Sequence, residues 1–147
     1  MTASILPLGA KAAPGAPGSA PTEAGFVTGG VRTLLRLEGL AAFAIAVAIY
    51  AHAGFSWGAF ALFFLAPDLS MLAYLAGPRA GAIGYNLVHT YVLPLLLTLG
   101  GFASAVPVAA AGGLIWIAHI GLDRLIGYGL KYPTAFGDTH LGRFRRS

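Results

Sequence analysis

The sequence predicts an all-α polytopic membrane protein, with four transmembrane helices in an antiparallel bundle and both termini cytoplasmic. Three observations carry that prediction. Of the 147 residues 57% are hydrophobic and only 10% charged, with a mean hydropathy of +0.77, which lies outside the range of soluble domains. Two long intervals, Gly39 to Pro67 and Ala80 to Leu122, contain no Asp, Glu, Lys or Arg. As one helix the second would be roughly 65 Å long at about 1.5 Å per residue, twice the ~30 Å of a hydrocarbon core, so it must cross more than once. Finally, the apolar runs are continuous and Leu/Ala-rich, without the alternating ten-residue strands of a membrane barrel.

Residues 1–31 mix Ala, Pro and Gly with too little apolar periodicity to bury anything, and read as a flexible tail. A cleaved signal peptide is disfavoured, because Lys11 follows the short apolar "ILPLGA" instead of preceding it. A transmembrane domain over 32–132 comes next, with spans at about 33–53, 57–76, 80–101 and 106–130, each ended by Gly or Pro. The links "AHAGFSWG", "AGPRAG" and "GGFASAVP" are short, which makes neighbouring helices antiparallel. Within the second span Asp68 follows Pro67, where a helix loses a backbone hydrogen bond and kinks. Residues 133–147 read as a basic interfacial segment, with Tyr128 and Tyr132 before it and Arg143, Arg145 and Arg146 within it.

Orientation follows from the cations. Lys11, Arg32 and Arg36 precede the first span, Arg79 lies in the second link, and Lys131 with the C-terminal arginines follows the fourth; the other two links have none. The positive-inside rule then places both termini and Arg79 on the cytoplasmic side of the membrane. A pI near 9.8 accordingly reflects orientation and anionic headgroups, and no nucleic-acid partner is expected. The absence of cysteine excludes disulfides, thiolate metal sites and a Cys nucleophile.

Against this background the intramembrane polar residues stand out. Counted from the cytoplasmic ends at about 1.5 Å per residue, Glu38 lies roughly 7 Å deep, Asp123 and Asn86 about 10 Å, Asp68 about 12 Å, and His89 and His119 about 15 Å. Six polar groups from four spans therefore share one layer, where their cost in hydrocarbon turns them toward the bundle interior. His119 and Asp123 are i and i+4 on one face, with Trp116 on the same stripe, and "YNLVHTY" puts Asn86, His89 and Thr90 together. His and carboxylate ligands converging in a bundle core suit Zn, Mn or Fe, although no HExxH, ExxH pair or zinc-finger spacing is present. The bland alternative is polar glue: Asp123 bonding His119, Asn86 bridging helices, and Glu38 paired with Arg36, Arg79 or Arg124. No GxSxG, Walker or dinucleotide motif occurs.

The runs "LEGLAAFAIAVAIY", "PDLSMLAY", "YNLVHTYVLP" and "WIAHIGLDRLIGYGLKYPTAFGDTHLGR" resemble the small bacterial membrane proteins grouped as domain of unknown function 4260, over about residues 33 to 144. The resemblance implies a four-span membrane protein and places Glu38, Asp68, Asn86, His89, His119, Asp123, Arg124 and the Lys131 to His140 segment in the family pattern.

The functional expectation is a membrane-embedded, metal-dependent enzyme acting on a lipid or apolar small molecule. In it His89, His119 and Asp123 bind the metal, Asp68 or Glu38 serves as a further ligand or general base, and Arg124, Asn86 and Lys131 hold the substrate. The alternatives are a small transporter or proton pathway, and a non-catalytic membrane subunit with a structural polar cluster. Arg124, about 100° round the helix from Asp123, is expected to contact Glu38 or line the pocket mouth.

Overall fold

The computed structural model describes residues 25–143; residues 1–24 of the expected tail, and Arg145 and Arg146, lie outside the described residues. The chain is mostly helical and contains four helices long and apolar enough to cross a membrane, Gly29–His52, Trp57–Ala76, Pro78–Ala103 and Pro107–Ile126. The first is one helix, α1 (Gly29–His52). The second starts as α2 (Trp57–Phe63) and continues as a 3₁₀ segment, Ala66–Ala76. The third is split into α3 (Pro78–Val88) and α4 (Val92–Ala103), and the fourth is α5 (Pro107–Ile126). A two-stranded hairpin, β1 (Asp138–Thr139) with β2 (Gly142–Arg143), ends the described chain.

The second span, expected to kink at Pro67, runs on as a 3₁₀ segment, and the third, expected to be one helix, is broken; the residues explain both. Ser56 starts α2 by accepting a hydrogen bond from the Ala59 amide at 3.3 Å. Beyond Pro67, Leu69, Leu72 and Leu75 recur every third residue and are 67%, 63% and 88% exposed, one stripe of a helix with about three residues per turn. Ala73 and Tyr74 turn inward, where Gly84 and Gly81 leave the room that a Cβ would fill. In the third span, Pro94 has no amide to give the Thr90 carbonyl and its ring crowds that turn, so the helix stops at Val88 and restarts at Val92.

The fourth span ends earlier than about 130. Gly127 adopts φ 103 and its amide bonds the Arg124 carbonyl, while the Tyr128 amide reaches the Asp123 carbonyl at 2.7 Å. This paired ending satisfies carbonyls that would otherwise be bare.

Packing centres on α5, which lies against α1 and α4, while α3 packs on the 3₁₀ segment. Glycines set the close approaches: a Cβ on Gly39 would meet the Gly121 carbonyl at 2.8 Å, and one on Gly121 would meet the Phe43 amide at 2.6 Å. Without a hydrophobic drive between helices in lipid, such backbone contact is a main source of association. Leucines exposed along α1, the 3₁₀ segment and α4 face outward, as a bilayer environment requires.

The chain after α5 folds back over the helices. Lys131 bridges Thr139, the Val27 amide bonds the His140 carbonyl at 2.9 Å, and His140 Nδ1 accepts from the Leu130 amide at 2.8 Å. Arg143 donates to both Asp138 oxygens, at 2.6 and 3.3 Å, and Thr134 donates a third bond at 2.7 Å. These donors hold the Asp138 carboxyl below its usual range, the Arg143 bond most of all.

Candidate metal centre

Asp68, His89, His119 and Asp123 meet at one point, each offering a ligand atom, with all four atoms within 4.8 Å of one another. Asp68 comes from the first turn of the 3₁₀ segment, held there by Pro67, with its amide bonded to the Leu65 carbonyl at 3.1 Å. His89 is the first residue past α3, in the break that Pro94 imposes. His119 and Asp123 lie one turn apart on α5.

Five of the six separations among the four ligand atoms lie between 3.2 and 3.7 Å, and the sixth, Asp68 to Asp123, is within 4.8 Å. The two imidazole Nε2 atoms are 3.2 Å apart. His89 Nε2 lies 3.5 Å from Asp68 Oδ1 and 3.6 Å from Asp123 Oδ2, and His119 Nε2 lies 3.5 and 3.7 Å from the same oxygens. A regular tetrahedron with edges of about 3.5 Å has its centre about 2.1 Å from each corner, the Zn–N and Zn–O bond length. His89 Nδ1 faces the Tyr85 carbonyl at 2.9 Å; as donor there it leaves the Nε2 lone pair pointing inward. The His side chains are 1% and 3% exposed and that of Asp123 is 16%, whereas that of Asp68 is 32% exposed and forms the open edge of the group.

The break beside His89 would be costly in hydrocarbon if its carbonyls were bare. Side chains of α5 fill them: Trp116 Nε1 donates to the Val88 carbonyl at 2.6 Å, and Arg124 donates to the carbonyls of His89 at 3.0 Å and Tyr128 at 3.1 Å. Arg124 is therefore committed to main-chain carbonyls, and the expected ion pair with Glu38 does not occur among the described residues. Glu38 is exposed on α1, apart from the four converging groups. Asn86 clamps the main chain of Lys131, its Nδ2 donating to the carbonyl at 2.9 Å and its Oδ1 accepting from the amide at 2.7 Å. Lys131 is buried, with Nζ donating to the Phe136 carbonyl at 3.0 Å and lying 3.3 Å from that ring's centre.

Sequence reasoning passed over Tyr85. It is 1% exposed, and its hydroxyl donates to Asp123 Oδ2 at 3.2 Å. The signal available was its position, one turn before His89 on the same helix face.

Four helices long and apolar enough to cross a membrane, with a His/Asp cluster between them, are the features of a membrane protein with a polar centre. The model of the family described as Domain of unknown function (DUF4260) matches residues 32–144, and the chain belongs to that family. No curated protein and no solved structure matches the chain.

Proposed function

We propose that the cluster binds one divalent transition metal, zinc by preference, and that the protein is a metal-dependent enzyme of the bacterial inner membrane acting on a lipid or other apolar small molecule. The observation that carries this reading is the closeness of the four ligand atoms: the His–His and His–Asp separations run from 3.2 to 3.7 Å, and all four atoms lie within 4.8 Å of one another. Two imidazoles and two carboxylates neutralise the ion, which suits a site in low dielectric. Asp68 is the most exposed of the four side chains, so with a metal held mainly by His89, His119 and Asp123 its carboxylate would be the one placed to serve as general base toward a substrate that the ion polarises. An apolar cleft of about 330 Å³, lined in part by Ala66, Pro67, Val88 and Trp116, adjoins the centre through the neighbours of Asp68 and His89 and suits a hydrocarbon chain. The cation pattern supports an antiparallel arrangement of the spans with the centre nearer the cytoplasmic face.

Metal analysis of protein purified in detergent without added metal tests this. Stoichiometric metal is expected in the parent, with loss in His119→Ala and Asp123→Ala at unchanged helicity. A parent that carries no metal, and whose melting temperature does not respond to added zinc, refutes it.

A second reading rests on the completeness of the shell. Four protein ligands without an open position are the pattern of structural sites, which would make the ion a staple between the second, third and fourth spans. Cobalt-loaded protein separates the two: a spectral change on adding azide or a hydroxamate supports an exchangeable position, and an inert spectrum supports the staple.

A further inference from the structure

We propose that Tyr85 is a positioning residue of the metal centre, orienting one ligand from α3 and one from α5 at the same time; the inference rests on the metal reading above. Three different parts of the residue make the contacts. Its carbonyl lies 2.9 Å from His89 Nδ1 and also accepts the His89 amide at 2.8 Å. Its ring stacks on the His89 imidazole, with centroids 3.7 Å apart and an interplanar angle of 11°. Its hydroxyl donates to Asp123 Oδ2 at 3.2 Å, the same oxygen that lies 3.6 and 3.7 Å from the two imidazole Nε2 atoms.

Each contact removes a specific freedom. The carbonyl selects the His89 tautomer, the stacked ring stops the imidazole from turning, and the phenol stops the carboxylate from rotating its ligand oxygen away from the centre. Tyr85 is itself held: Asn86, the next residue, is clamped to the Lys131 main chain, and Lys131 Nζ lies 4.7 Å from the Tyr85 ring centre. The C-terminal segment thus buttresses the ligand geometry through Tyr85 without touching a ligand in any contact described above. Outer partners of this kind are worth about 10- to 100-fold in metal affinity.

The conservative variant is Tyr85→Phe, which keeps the stacking and the carbonyl and deletes only the hydroxyl. Tyr74→Phe is the matched control, because the Tyr74 hydroxyl is likewise buried and has no hydrogen-bond partner among the described residues. Zinc affinity is measured by competition with a chromophoric chelator in detergent, and ligand geometry from the visible spectrum of the cobalt-loaded protein. The expected result is an affinity drop of about 10- to 100-fold and an altered cobalt spectrum for Tyr85→Phe, with Tyr74→Phe indistinguishable from the parent. If the parent binds zinc and Tyr85→Phe binds it equally, with an unchanged cobalt spectrum, the positioning role is wrong and the metal reading stands. Equal weakening in both variants also overturns the role, since it marks a general loss of packing. A parent that binds neither ion overturns the metal reading itself.

Discussion

Lys131 carries its ammonium into a site only 5% exposed, where it meets the Phe136 carbonyl at 3.0 Å and the rings of Phe136, Tyr85 and Tyr74. Burial pulls its pKa down to about 8, more than the nearby Asp123 and Asp68 carboxylates push it up. Below pH 8 the folded and unfolded chains both hold the proton, and folding bears the full cost of burying a charge. Above it the folded lysine is neutral while the unfolded one stays charged up to the ordinary lysine range, so stability rises with pH across that window. Melting curves should show this rise in the parent relative to Lys131→Met; parallel curves would mean the ammonium is effectively solvated. A second prediction concerns Arg124. Arg124→Met strips the donor from the His89 carbonyl and should cost about 1 to 3 kcal/mol in unfolding experiments, whereas Glu38→Gln should leave the melting temperature unchanged. At this scale legibility was uneven. The i, i+4 spacing of His119 and Asp123 was plain in the sequence, and so was the expense of Asp68 in a span. Lys131 was read as a cytoplasmic-side cation and a substrate contact because its aromatic surroundings come from residues 74, 85 and 136, which are brought together only by tertiary folding.

Elements carry the contrast between tight and open glycines. Gly39 faces the Gly121 carbonyl and the Leu125 amide, each 2.8 Å from where a Cβ would sit, whereas Gly112 has nothing within 4 Å. Gly39→Ala should therefore force α1 and α5 apart at a cost of about 1 to 3 kcal/mol. Gly112→Ala should be neutral or stabilise by up to about 1 kcal/mol through helix propensity. Unfolding in mixed micelles reads both, and similar losses at the two positions would remove the α1–α5 contact from the account. Four spans were legible because charge-free length in a bilayer leaves few options. The irregular parts were written more faintly: a three-residue leucine repeat for the 3₁₀ segment, and Pro94, four residues after Thr90, for the break beside His89. Both signals were present but are overwhelmed by hydropathy when a run is read only for its apolar length.

For the whole molecule the test is topological. The chain has no cysteine, so single cysteines placed at the exposed Ala53 and Ala76, beside the positive-φ glycines Gly54 and Gly77, report sidedness. On the proposed orientation a membrane-impermeant maleimide labels the first in spheroplasts and the second only after lysis; the reverse pattern would invert the protein and move the metal centre toward the outer face. The convergence of Asp68, His89, His119 and Asp123 was the part least available from sequence, since spacing along a helix says which residues share a face but not which faces meet. That convergence also has a consequence in time. Asp68 and His89 are synthesised before His119 and Asp123, so on the proposed reading no nascent chain that ends before Asp123 can hold the ion with all four side chains. Insertion comes first and metal loading second. On that reading the ion is taken up by a chain whose helices are already in place.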